Sequence, residues 1–153
     1  YKGEYFEGGI RVPLIVSWPG NINLGETSNT PISSLDIYPT LSAIAGIDLP
    51  NSEPFEGVNL LPLLMDKKSE ISRDHFFWAG GRIGKNTGAI LKDGWKLVIN
   101  HKGKDFLFNL ENDPNERINL IANYPNRSNA LRSIFNNTLD EMPEPLTDRS
   151  KLK

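Results

Sequence analysis

The first third of the chain contains one continuous apolar run and one helical stripe. Val12-Pro13-Leu14-Ile15-Val16-Ser17-Trp18 is bounded by Gly8-Gly9 before it and Pro19-Gly20 after it. Such a run predicts a strand buried on both faces, as in a mainly parallel sheet covered by helices. Asn21 to Pro31 is a polar loop. Ile37, Tyr38, Leu41, Ile44 and Ala45 then follow helical spacing, and Gly46 stands where the helix would end. Pro39 must lie near the start of that helix. With Asp36 as N-cap it falls at the third position, where its missing N–H costs no intrahelical bond. Asp36 is therefore expected to cap rather than to catalyse. Asp48 to Leu64, with Pro50, Pro54, Gly57 and Pro62, reads as an extended connection ending in the apolar cluster Leu60–Leu64.

The polar stretch Met65–Ser72 is the best candidate boundary, and beyond it the period changes from helix to strand. His75 to Trp78 is short and aromatic. Gly88–Lys92 and Trp95–Ile99 flank Asp93-Gly94, a strong hairpin signal. A second turn, His101–Asp105, leads into Phe106–Leu110. Trp95, Leu97 and Ile99 alternate with Lys96 and Val98, while Phe106, Phe108 and Leu110 alternate with Leu107 and Asn109. One apolar face is expected, covered by a helix from Pro125 whose stripe is Ala130, Leu131, Ile134, Phe135 and Leu139. The expected class is α/β with an α+β C-terminal subdomain, a four-stranded antiparallel sheet packed on a C-terminal helix. Residues 1–66 and 67–153 are the expected domains. Met142 to Lys153 is Pro-rich and charged, and is expected to be loose.

Composition narrows the function classes. The chain has 153 residues and a net charge of −2, with 38% hydrophobic and 24% charged residues, as in an ordinary globular domain. No basic tail or acidic block points to nucleic acid as a partner, and no apolar run approaches the roughly 20 residues a membrane span needs. With no cysteine there is no disulfide and no thiolate site. The chain opens Tyr-Lys-Gly-Glu, without an initiator Met, and runs directly into a Gly-rich turn. That is expected of a segment cut from a larger protein.

Generic motifs mostly fail. Gly80–Lys85 has the wrong spacing for a phosphate loop, and Asn86 follows where Ser or Thr belongs. His75 and His101 have no ligand-spaced neighbours and read as surface or strand-edge residues. Asn126-Arg127-Ser128 and Asn136-Asn137-Thr138 fit the glycosylation pattern, which recurs by chance. From Arg82 to Lys104 the chain carries Arg82, Lys85, Lys92, Lys96, Lys102 and Lys104 against Asp93 alone. This is either a solvated sheet face or a positive field that steers anionic substrates toward a cleft.

One cluster is different. Lys2-Gly3 and Glu7-Gly8-Gly9-Ile10-Arg11 stand just before the apolar run. A lysine on a loop at a strand mouth suits an oxyanion such as sulfate or phosphate. A solvated surface lysine fits the same pattern, and spacing alone does not separate the two. Arg11 is expected to pair with Glu7 or a neighbouring carboxylate, and Gly8 and Gly9 to adopt backbone conformations closed to other residues.

The segment from Lys2 through Glu7-Gly8-Gly9-Ile10-Arg11-Val12-Pro13 to Trp18-Pro19-Gly20 resembles one in the sulfatases. These are the formylglycine-dependent arylsulfatases of the alkaline-phosphatase superfamily. The resemblance continues in the family's order through Ser34-Leu35-Asp36-Ile37-Tyr38-Pro39-Thr40-Leu41 and Gly57-Val58-Asn59-Leu60-Leu61-Pro62-Leu63-Leu64. It then takes in Lys92-Asp93-Gly94-Trp95-Lys96-Leu97-Val98 and Leu107 to Glu116 with Asn119-Leu120. Glu56 precedes Gly57 where the family pattern has Asp.

The resemblance implies the end of an alkaline-phosphatase-like sheet domain followed by the small subdomain, from an enzyme that hydrolyses sulfate esters such as those of sulfated sugars. It implies that Lys2 contacts the sulfate group. The family's nucleophile, a formylglycine made within C/S-x-P-x-R, has no counterpart in this sequence, and neither do the calcium ligands or active-site histidines. No cofactor is therefore expected in this chain, although the parent would use calcium and formylglycine. The implied partners are the remaining N-terminal part of the enzyme and a sulfated small molecule or glycan. The implied location is periplasmic or extracellular. A related phosphodiesterase or phosphonate hydrolase, and a stand-alone glycan-binding module, are the competing expectations.

Overall fold

The computed structural model describes residues 4–49, 56–66, 70–80, 87–100 and 104–142. They fall into two compact units, Pro13–Asp74 and a second that joins Tyr1–Val12 to His75–Lys153.

The second unit is built on an antiparallel meander of β1 (Phe76–Gly80), β2 (Thr87–Lys92), β3 (Trp95–Ile99) and β4 (Phe106–Asn109), in sequential order. The β2–β3 hairpin turns at Asp93 and Gly94, with φ of 50° and 72°, the paired left-handed conformation of a two-residue turn that matches strand twist. Asp105 closes the next connection. Its carboxylate accepts the Asn100 N–H at 3.0 Å and pairs with Arg132 of the C-terminal helix.

That helix, α4 (Pro125–Glu141), lies on one sheet face as expected. Leu131 and Phe135 pack there against Ile90, Leu97, Ile99 and Leu107, with the Phe77 and Phe135 rings 4.9 Å apart. The other face also carries a core, which the sequence pattern did not anticipate. The register pairs Leu97 with Leu107 and Val98 with Phe106, so Phe106 and Phe108 point away from α4. They join Ala89 and Val98 in a second cluster covered by Tyr5 and Phe6. Both faces need a cover because alternation is apolar on both sides of β4. Tyr5 and Phe6 supply the second one.

In the unit Pro13–Asp74 the expected strand is absent. Residues 12–18 pair with no strand among the described residues, and Ile15 is 90% exposed. Such a run becomes a strand only where neighbours on either side offer hydrogen bonds. A helix does form as expected, α2 (Ile37–Ile44), entered through a single 3₁₀ turn at Ser34–Asp36. It ends in a Schellman motif at Gly46, whose φ is +67°, with Ile47 N–H donating to the Ser42 carbonyl at 2.9 Å.

The N-cap is Ser33, not Asp36. Ser33 Oγ accepts the Leu35 N–H, and Asp36 Oδ2 accepts the Ser33 N–H at 2.7 Å, a capping box. The extra 3₁₀ turn moves the helix entry back by three residues and leaves the Asp36 carboxylate inside. Fully buried, it accepts the Val58 N–H at 2.9 Å and pairs with Arg73. Thr40 Oγ1 donates to the Asp36 carbonyl at 2.6 Å and accepts the Leu60 N–H at 2.8 Å. These bonds hold the connection 57–60 along α2 and lead it into the short helix α3 (Leu61–Met65), where Asn59 Oδ1 caps Leu61 N–H at 2.9 Å.

Pro39 lacks the N–H that would occupy the Leu35 carbonyl, and Gly57 passes close to that oxygen. A Cβ on Gly57 would overlap it and lie 3.1 Å from Pro39 Cγ. Replacing Gly57 by Ala in the full protein is therefore expected to cost about 1–3 kcal/mol, read as a lower denaturation midpoint with an unchanged m-value. A midpoint equal to the parent's would show that this approach is not tight.

Candidate functional site

Of the residues singled out for chemistry, Lys2 lies outside the described residues, as do Arg82, Lys85, His101 and Lys102. The expectations about the Gly80–Lys85 turn beyond Gly80 and about residues 143–153 lie there too. The structure does place the segment that follows Lys2. Phe6 stands edge-on to Phe106 and Phe108, with centroids 5.5 Å and 6.0 Å apart, and Tyr5 packs in the same cluster. Glu7–Ile10 forms one helical turn, α1, whose opening residue Phe6 has no side chain able to cap it. A distant carboxylate does so instead, because Glu116 Oε2 accepts the Glu7 N–H at 2.6 Å.

The other oxygen of Glu116 lies 2.8 Å from the ammonium of Lys96, and Glu7 Oε1 lies 2.8 Å from the same nitrogen. Lys96 has no exposed surface, and its Nζ sits 6.0 Å from the Trp78 ring centre. Arg11 completes the set at 3.8 Å from Glu7 Oε2, in the pairing expected for it, although it is largely exposed. Two cations and two carboxylates therefore balance, three of the four groups largely withdrawn from water.

This overturns the placement of Lys96 on a basic outer face. It shares strand parity with Val98, an apolar position, and so points inward to the side where Glu7 and Glu116 wait. Lys104 lies against the Phe106 ring at 5.8 Å. Gly8 and Gly9 are helical with no positive φ, and a Cβ on Gly8 would meet none of the described residues, so nothing among them requires glycine at position 8. His75 stands at the start of β1 with Nε2 3.2 Å from Thr138 Oγ1, the strand-edge placement expected.

Glu116 reaches the ammonium because of the turn that precedes it. Asn109 Oδ1 accepts the N–H groups of Glu111 and Asn112, at 3.1 and 3.2 Å, and Asp113 Oδ2 accepts the Ile118 N–H at 2.8 Å. Glu116 itself has φ +55°, a left-handed conformation that a β-carbon makes costly and that the surrounding turn must enforce. Asn119 then secures the exit, accepting the Leu107 N–H at 3.0 Å and donating to the Asp105 carbonyl at 3.1 Å. Sequence reasoning placed these residues in an exit turn but missed that the turn delivers a carboxylate under the sheet. The one available signal was an acid at the end of a turn together with a lysine at an inward strand position.

No group of three or more His, Asp or Glu among the described residues could hold a metal ion. These residues by themselves do not fit a calcium site. No helix among them is long and apolar enough to cross a membrane.

A family model described as N-sulphoglucosamine sulphohydrolase, C-terminal, matches residues 2–144. The chain belongs to the sulfatases. It is 30% identical to rat arylsulfatase G, over 97% of this chain and 32% of that protein. It is 31% identical to a sulfatase of Formosa agariphila, over 82% of this chain and 25% of that one. Its fold resembles the crystal structure of Ps i-CgsB with a TM-score of 0.77 at 28% identity, over 92% of this chain and 32% of that chain. A second structure of Ps i-CgsB, equally similar, is a complex with k-i-k-neocarrahexaose. This sulfatase chain thus spans a third or less of the length of these relatives.

The Asp113 carboxylate is held below its ordinary value, first by the N–H of Ile118, then by the backbone N–H of Arg117. A depressed folded-state value means that its contribution to stability is complete above the unfolded value, about pH 4, and is lost as pH falls through the lower folded value. Asp113→Asn is expected to flatten the fall in thermal midpoint below about pH 4. Parallel pH–midpoint curves for variant and parent would show that this carboxylate does not anchor the turn.

Proposed function

We propose that this chain is the C-terminal portion of an enzyme that hydrolyses sulfate esters, with a sulfated glycan as the substrate class, and that Lys2 contacts the sulfuryl group. The family match over residues 2–144 carries the reading. The complex of Ps i-CgsB with an oligosaccharide supports a carbohydrate substrate. In this reading residues 1–66 end the large α/β domain, with Tyr5 and Phe6 reaching over to cover the small sheet, 67–153 form the subdomain, and the protein works in a periplasmic or extracellular setting. The nucleophile, the calcium ion and its ligands belong to the remaining part of the enzyme.

The surface of the unit Pro13–Asp74 supports such a partner. Helix α2 buries Pro39, Thr40 and Ser42 while Ile37, Leu41 and Ile44 stay exposed, the reverse of a helix on its own core. An apolar stripe left outward marks a surface that another body covers. The rest of the large domain is the natural occupant.

Sulfate-ester cleavage places negative charge on the sulfuryl oxygens and on the leaving oxygen. An ammonium fixed against one of those oxygens stabilises that charge more in the transition state than in the ground state. In the full-length enzyme, Lys2→Ala is expected to lower kcat for an aryl sulfate by about 10²–10³-fold. A variant with parental kcat would remove Lys2 from the site. Residues 1–153 alone are expected to give no sulfatase turnover at any calcium concentration. Turnover that scales with purified chain would overturn the division of labour proposed for the parent.

A further inference from the structure

We propose that the cleft between the hairpin turn at Asp93-Gly94 and the first turns of α4 is a binding subsite for a sulfated sugar unit. The inference rests on the reading of the parent as a glycan sulfatase and gives this chain its own hold on that glycan.

The cleft has a volume of about 520 Å³, within the roughly 300–1,000 Å³ of small-ligand sites, and lies wholly within the second unit. Ala130 and Ile134 of α4 and the ring of Tyr124 give it an apolar wall. Lys92, Asp93, Asn126 and Arg127 bring polar groups to it. Tyr124 is 46% exposed, yet its ring stands 4.9 Å from that of Trp95. An exposed ring braced in this way offers flat apolar area with little side-chain freedom left to lose, which suits the C–H face of a sugar.

Arg127 decides the sign of the ligand. Its guanidinium carbon lies 4.9 Å from the Trp95 ring centre, a contact that holds the side chain at the cleft without neutralising it. Arg132, on the same helix, pairs with Asp105, whereas Arg127 makes no ion pair among the described residues. A guanidinium that keeps its charge presents a planar fork of donors matched to the oxygens of an oxyanion.

The rest of the lining restricts which oxyanion fits. Lys92 adds a second positive charge and Asp93 subtracts one. Two cations against one carboxylate suit a single anionic group that is surrounded by hydroxyls. The Asp93 carboxylate accepts from such hydroxyls, and the Asn126 amide both donates and accepts. A bare polyanion meets Asp93 unfavourably, and a neutral sugar leaves Arg127 unanswered. A sulfate ester on a sugar ring satisfies the apolar wall, the cations and the carboxylate together.

The test uses the full-length protein and isothermal titration calorimetry, with circular dichroism as the check on folding. The probes are a sulfated galactan tetrasaccharide, its desulfated counterpart and inorganic sulfate. Arg127→Ala is expected to weaken one tetrasaccharide site by about 10–100-fold, the loss of charged hydrogen bonds. Its kcat and KM for 4-nitrophenyl sulfate are expected to stay within about twofold of the parent's. Ala130→Phe, which fills the cleft and keeps every charge, is expected to weaken the same site by about tenfold or more. The desulfated sugar and inorganic sulfate are each expected to bind at least about tenfold more weakly than the sulfated sugar.

Parental affinity in both variants would overturn the subsite. A loss in Arg127→Ala with none in Ala130→Phe would overturn it too, because a diffuse positive field does not need the cleft. Inorganic sulfate or the desulfated sugar binding as tightly as the sulfated one would overturn the ligand class. A parent that turns over no 4-nitrophenyl sulfate would instead overturn the sulfatase reading, whatever the titration shows.

Discussion

A single buried ammonium organises the larger of the two units. Lys96 sits in the strand that every neighbouring feature uses: the hairpin turn at Asp93-Gly94, the pairing with β4, and the face turned away from α4. Its charge has to be met inside the protein, and each partner comes from far along the chain, Glu7 from 89 residues before it and Glu116 from the exit turn. Satisfying one nitrogen thus fixes where the segment Tyr5–Glu7 lies, how the loop after β4 folds, and which side of the sheet carries a second core. An isolated buried charge would cost far more than the net stability of a small domain, so the three elements cannot dock independently.

The other unit uses the same logic with a carboxylate. Asp36 is fully buried and gathers the Ser33 and Val58 N–H groups and the Arg73 guanidinium, while Thr40 gathers Leu60. The family-like stretches Ser34–Leu41 and Gly57–Leu64 are therefore two halves of one hydrogen-bonded joint. Likewise Leu107–Glu116 with Asn119-Leu120 is a folding instruction for one carboxylate. Most of what makes this chain resemble the sulfatases is assembly, and the residue expected to meet substrate, Lys2, lies outside the described residues.

The sequence by itself determined the local elements. Period-two alternation located β3 and β4, Asp93-Gly94 fixed the hairpin and with it β2, Pro125 opened α4 and Gly46 closed α2, because each depends on backbone preferences within a few residues. The pairing of Arg11 with Glu7, one helical turn apart, was legible for the same reason. The resemblance to the sulfatases was legible too, since it lies in ordered short motifs.

Tertiary structure decided the rest. Period alone assigns Phe106 and Phe108 to a face but not to the same face as Leu97, and only the register of β3 with β4 settles it. The run Val12–Trp18 has a strand's composition without a strand's partners among the described residues, and hydrogen bonding to neighbours is not encoded in the run itself. Asp36 lost the capping position because Ser33 could open a turn earlier and a buried guanidinium could use its carboxylate. Lys96 read as one more lysine in a basic stretch. What made it the centre of the unit were two glutamates brought to it by folding, and charge pairing over such separations is a property of the closed structure rather than of any segment.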